Sequence, residues 1–210
     1  SPQGEVLRVR QVSAKFSEDA VRFGDAQAPA PLSVRCDDAG AARGQGRWVS
    51  ARQWVFDFAA DLPPGLHCQV TPVSGFKSPS GAGLTGASSY QFNTGGPIVQ
   101  RIEPGAGQDI EEEQVFVLRL NGPATPESAA AHIRCAVDGL GERVPVRLVE
   151  GAPRAALLKG LGLEKAAQAE PQRFVALACN RRLTPDSRVQ IIYGKGVATP
   201  SGVASTVDQR

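Results

Sequence analysis

Leu62-Pro63-Pro64, Gln69-Val70, Gly75 and Pro79-Ser80-Gly81 recur 121 positions later as Leu183-Thr184-Pro185, Gln190-Ile191, Gly196 and Pro200-Ser201-Gly202. Seven identities hold this one offset, and several are Pro or Gly residues that set turns. The reading therefore predicts two copies of one module, the kind of self-similarity that decides an architecture before any single element does. Earlier in the copies, Val34-Arg35-Cys36 matches Ile133-Arg134-Cys135, and Phe16, after an alternating run, matches Leu120 after another. There the offset is 99 to 104, so the second copy carries an insertion of 17 to 22 residues, placed between Cys135 and Cys179.

The module reads as β structure. Val6, Arg8, Arg10, Val12, Ala14 and Phe16 alternate with Leu7, Val9 and Gln11, as in a strand partly covered on both faces. Arg47 to Phe58 alternates Trp48, Trp54, Phe56 and Phe58 with polar neighbours, Leu66 to Val73 is another strand, and Tyr90 and Phe92 mark a closing one. Asp61-Leu62-Pro63-Pro64-Gly65 is turn chemistry, and residues 75 to 86, rich in Gly, Ser and Pro, form a loop. Strand, turn, strand, loop, strand predicts an all-β chain of two tandem immunoglobulin-like sandwiches, residues 1–96 and 97–210, parted at Gly95-Gly96-Pro97. In the second, Thr125 as N-cap and Pro126 at the first position start a short helix, Val144, Val146 and Leu148 form a strand, and residues 153 to 163 form a helix weakened by Gly160 and Gly162. These last two elements lie in the insertion, near 139–170. The counterpart of Tyr90 to Thr94 falls beyond Arg210, which predicts a second sandwich lacking its last strand and left with an open edge.

Composition narrows the classes. The 23 basic and 21 acidic residues are interspersed, with a net charge of +2 and no cluster that would track phosphates, so nucleic acid is not the expected partner. No apolar run reaches the 18 or more residues of a membrane-spanning segment. The absence of Met and the start Ser1-Pro2-Gln3-Gly4 suggest a processed chain or a piece of a longer one. Cys36 and Cys68 fall in the first copy, Cys135 and Cys179 in the second, without the close pairs that zinc sites favour. One disulfide per module, Cys36 with Cys68 and Cys135 with Cys179, is the preferred reading and implies an oxidising compartment; four buried free thiols are the alternative.

Reactive chemistry is sparse. His67 and His132 are the only histidines, and neither sits in a recognisable motif. Glu111-Glu112-Glu113 lacks the spaced oxygen ligands of a calcium loop, Asp37-Asp38 reads as a loop end, and Gly194-Lys195-Gly196 lacks phosphate-loop spacing and context. Trp48 and Trp54 suggest either core residues or a sugar-stacking platform. The expectation is a chain with no catalytic residues, metal site or cofactor.

Several phrases resemble the N-terminal immunoglobulin-like modules of large bacterial alpha-2-macroglobulin-like proteins. They are Phe16-Ser17-Glu18 with Phe23-Gly24-Asp25, Trp54-Val55-Phe56-Asp57-Phe58 leading to Leu62-Pro63-Pro64-Gly65, and Phe92-Asn93-Thr94-Gly95-Gly96-Pro97. Glu112-Glu113-Gln114-Val115-Phe116, Gly141-Glu142-Arg143-Val144-Pro145-Val146 and Gly194-Lys195-Gly196-Val197 add to them. The resemblance implies a non-enzymatic arm of a periplasmic, membrane-anchored protease inhibitor, whose partners are the rest of its parent chain, proteases or other periplasmic proteins. The family's Cys-x-x-Gln thioester motif is absent at all four cysteines. An adhesin or surface-layer array and a carbohydrate-binding tandem are the other expectations.

Overall fold

In the computed structural model every residue is described except Phe23, Ala26 and Gln27, so the Phe23 of the macroglobulin-like phrase lies outside the described residues. The chain is mostly β and divides into two compact units, Ser1–Thr94 and Gly95–Arg210.

The first unit contains β1 (Gly4–Glu5), β2 (Gln11–Lys15), β3 (Leu32–Cys36), β4 (Gly44–Ser50), β5 (Gln53–Phe58), β6 (His67–Pro72) and β7 (Tyr90–Asn93). They form two sheets, ordered β1-β7-β6-β3 and β2-β5-β4. Leu32, Trp54, Phe58, Leu66, Val70 and Phe92 meet in the core between them, while alternate residues of each strand face out. The second unit contains β8 (Val99–Glu103), β9 (Val115–Leu120), α1 (Pro126–His132), β10 (Ile133–Val137), β11 (Arg143–Leu148), α2 (Gly151–Gly160), α3 (Glu164–Ala169), β12 (Phe174–Cys179) and β13 (Val189–Tyr193). Its strands run β13-β10-β11-β12-β9-β8. Thr125 caps α1, its side chain accepting from the Ser128 N–H. The second helical segment, α3, was not predicted; its Ala167 joins Leu158 of α2 in packing on Val117, Phe174 and Ala176.

The repeat is borne in the pairing. β2 pairs β5 as β9 pairs β12, β4 pairs β5 as β11 pairs β12, and β3 pairs β6 as β10 pairs β13. The loop after β6 recurs bond for bond. Lys77 bridges Gly83 as Ala198 bridges Ala204. The Ser78 N–H donates to the Ala82 carbonyl as that of Thr199 donates to Val203, and the Gly81 N–H donates to Ser78 as that of Gly202 donates to Thr199. Gly81 and Gly202 hold the same left-handed φ, 87° and 85°. Register also revises one sequence match. Val34 faces Val70 as Cys135 faces Ile191, so Cys135 corresponds to Val34 and not to Cys36. A shift of two keeps the inward face, so local pattern could not detect it.

The two cysteine pairs consequently play different structural roles. Cys36 and Cys68 are bonded directly across β3 and β6, at the rung that Val137 and Val189 occupy in the second unit. Cys135 and Cys179 join β10 to β12, which are separated by β11 in the sheet order. That bond is possible because β11 changes partner midway: Arg143 to Pro145 pair with β10, and Val146 to Leu148 pair with β12. The strand turns a corner, and the bond staples the two sides of the unit through a core where Cys135 is 0% and Cys179 7% exposed.

At the rim between β13 and β8, where the sequence predicts an absent strand, Gln209 exchanges both backbone hydrogen bonds with Tyr193, at 2.9 and 3.0 Å. Its side-chain amide then spans to β8, the oxygen accepting from the Val99 N–H at 2.7 Å and the nitrogen donating to the Val99 carbonyl. Beside it the buried Tyr193 hydroxyl donates to the Pro97 carbonyl at 2.9 Å. Burial pushes this phenol well above its ordinary range. Its folded pKa therefore exceeds its unfolded one, so its contribution to stability is complete below about pH 10 and is lost as pH rises above it. Tyr193→Phe should flatten the alkaline fall in stability, measured by urea unfolding between pH 8 and 11; an unchanged alkaline slope would contradict this assignment.

Candidate functional site

The residues that the sequence offers for chemistry, and that read as structural, lie apart. His67 starts β6 with an exposed side chain; its N–H donates to the Asp37 carboxylate at 3.1 Å and its carbonyl accepts from the Asp37 N–H at 3.0 Å. Asp38 turns its carboxylate onto the N–H groups of Gly40 and Ala41, closing a loop. Glu112 pairs with Arg182, and its carbonyl accepts from the Leu183 N–H. Among the described residues no group of three His, Cys, Asp or Glu is placed to hold a metal.

His132 and Gly194-Lys195-Gly196, apart in sequence, meet at the end of α1. The His132 carbonyl accepts from the Gly194 N–H at 3.0 Å, and a Cβ on Gly196 would lie 2.6 Å from the imidazole. The ring thus lies on the Gly196 backbone, and the Lys195 N–H donates to Asp208. The motif is a packed turn.

The tryptophans form no platform. Trp54 is 2% exposed in the core, with Gly46 so close that a Cβ there would sit 2.4 Å from the indole. Trp48 is half-buried, its ring centroid 5.5 Å from Phe16 and 6.3 Å from Phe76, and its indole N–H donates to the Pro29 carbonyl. Both rings are used in packing.

What sequence reading missed is the outer face of the β1-β7-β6-β3 sheet. Arg35, Gln69 and Gln91 stand in one row across β3, β6 and β7, in register, with His67 opposite Asn93 in the next row of the same face. Together with Gly4 and Asp37 they line an open trough of about 650 Å³. Asp37 holds the end of the trough through its two bonds to His67. Arg35 has no carboxylate partner among the described residues. The polar phase of β3, β6 and β7 was visible in the sequence; the non-local register that aligns the three strands was not.

The fold and the covalent links define a two-unit, disulfide-bonded, mostly β protein suited to an oxidising compartment outside the cytosol. Among the described residues no helix is long and apolar enough to cross a membrane. No family model matches the chain. Among solved structures it is similar to an L,D-transpeptidase from Mycobacterium smegmatis, at 14% identity and a TM-score of 0.31, covering 97% of this chain and 75% of that one. It is also similar to the LD transpeptidase LdtMt1 in complex with imipenem, at 12%, 0.33, 97% and 75%. L,D-transpeptidase 3 from Mycobacterium tuberculosis gives 13%, 0.32, 97% and 77%.

These neighbours correct the family expectation. They are transpeptidases and therefore enzymes, and not macroglobulin modules. The macroglobulin assignment, the protease-inhibitor role and the non-enzyme reading drawn from it are withdrawn. The adhesin and carbohydrate-binding alternatives are withdrawn with them, the latter also on the packing of Trp48 and Trp54. The quoted phrases misled because they are turn and strand residues, which specify local geometry and not a function. At these identities and TM-scores the likeness transfers neither activity nor residues to this chain.

Proposed function

We propose that the chain is a tandem of two immunoglobulin-like modules of a periplasmic protein, and that the trough of the first module binds a carboxylate-bearing polypeptide segment. The partner is another protein of that compartment or a further part of the same polypeptide. The observation that carries this reading is the row Arg35, Gln69 and Gln91. It places a guanidinium that has no carboxylate partner among the described residues beside two primary amides on adjacent strands of one sheet, with the Asp37 carboxylate at the end of the trough turned onto the His67 N–H. A guanidinium fork matches a carboxylate in a bidentate way, and amides donate to and accept from a peptide backbone. The alternating core of each unit and the repeated pairing support the immunoglobulin-like assignment. The two disulfides support the compartment.

An array of peptides with acidic side chains or free C-terminal carboxylates should yield binders. A hydrogen bond to a charged group is worth about 1.5 to 3 kcal/mol, so Arg35→Ala should weaken them by roughly tenfold or more while leaving unfolding unchanged. Binding that ignores Arg35→Ala, or the absence of any binder, would refute the reading.

A further inference from the structure

The two disulfides differ in what surrounds them, and the difference does not concern stability alone. β6, which carries Cys68, is flanked by β3 and β7, and Cys68 is 3% exposed. β3, which carries Cys36, pairs with β6 on one side only, and among the described residues no strand covers its other edge. In the second unit β11 pairs alongside the corresponding β10, with Val144 opposite Cys135. Cys36 is accordingly half-buried while Cys135 is fully enclosed. The strand pairing at that rung does not itself require a covalent bond, because the second unit fills the rung with Val137 and Val189 and keeps the same pairing.

We infer that Cys36–Cys68 is a reducible, thiol-exchanging disulfide, a redox-sensitive site at the open edge of the first module, whereas Cys135–Cys179 is structural. The co-reactant is a dithiol donor. One donor thiolate attacks the Cys36 sulfur on the β3 side, forming a mixed disulfide and releasing Cys68 as a thiolate that takes a proton. The second donor thiol, as its thiolate, then displaces Cys36, so the donor leaves as a disulfide and Cys36 and Cys68 remain as two thiols. Two electrons and two protons pass from donor to protein. Attack requires access to a sulfur along its approach line, and Cys36 is the one half-buried cysteine of the four, the other three being buried. The backbone rungs of β3 and β6 from Leu32–Pro72 to Arg35–Gln69 persist without the bond, so the reduced module stays folded with β3 less firmly tied. Cys36 and Cys68 also contribute to the lining of the outer-face trough, but the inference rests on the disulfide and its edge, whether or not that trough holds a ligand.

The test uses the intact two-disulfide chain under native conditions. Samples are exposed to dithiothreitol, quenched with an alkylating reagent at intervals, and mapped by peptide mass spectrometry, with tryptophan emission recorded in parallel. The expected result is alkylation of Cys36 and Cys68 at least tenfold faster than of Cys135 and Cys179, before any change in tryptophan emission. Equal rates, faster loss of Cys135–Cys179, or loss of native tryptophan emission in step with Cys36 alkylation would each overturn it. The double variant Cys36→Val with Cys68→Val should keep the native emission spectrum; an unfolded double variant would also count against it.

Discussion

Gly96→Ala is expected to unfold the second unit under conditions where the first stays native. A Cβ at Gly96 would lie 2.0 Å from the Ser205 nitrogen, 2.3 Å from the Ala204 carbonyl carbon and 2.7 Å from the Ser205 Cα. All three are backbone atoms, so no side chain can swing aside. Nor can the backbone yield cheaply, since the Ser205 N–H donates to the Val197 carbonyl and its own carbonyl accepts from Gly196, both at 2.8 Å. Overpacking of ordinary cores costs about 1 to 3 kcal/mol, and a rigid clash of this depth belongs in the tail above about 4 kcal/mol. Both tryptophans lie in the first unit, so indole emission reports that unit while far-ultraviolet circular dichroism reports both. The variant should lower the dichroism midpoint in urea and leave the emission midpoint in place. Gly141→Ala, where nothing lies within 4 Å, is the control and should change neither.

Removing the inter-sheet bond should have the next largest effect. Cys135→Ala with Cys179→Ala releases a 44-residue loop, for which the chain-entropy model gives about 4 kcal/mol. Two truncated side chains in a core that includes Leu118, Leu120, Ile133 and Leu177 add a cavity cost. The loss of stability, read from urea unfolding followed by circular dichroism, should therefore reach about 4 kcal/mol or more. A loss below about 1 kcal/mol would show that the packed core holds the corner of β11 without the covalent link.

Much of the architecture was legible because it is written locally. Alternation in Arg47 to Phe58 and in Val144 to Leu148 marks strands, and these residues form β4, β5 and β11. Thr125-Pro126 begins a helix because the hydroxyl caps the Ser128 N–H and the proline needs no donor. Repetition of Pro79-Ser80-Gly81 as Pro200-Ser201-Gly202 indicates a shared loop, and the same hydrogen bonds appear in both. What stayed hidden depends on residues distant in sequence. The equivalence of Cys135 with Val34, the change of partner along β11 and the alignment of Arg35 with Gln69 and Gln91 are matters of register between strands. The amide of Gln209 spanning to Val99 joins residues 110 apart, and nothing in the pattern around either one announces it. The candidate site was missed for the same cause, since every one of its side chains looks like an ordinary solvent-facing residue of its own strand.

The placement of the two covalent links also governs how the chain behaves under mechanical load. Pulled from its ends, a polypeptide lengthens by about 3.4 Å for each residue drawn out of its fold. The 32 residues spanned by Cys36–Cys68 and the 44 spanned by Cys135–Cys179 are bypassed by the force and contribute no extension. Breaking the first link alone would release roughly 110 Å of slack, so the thiol state of the first unit would change how far the unfolded chain can be drawn out.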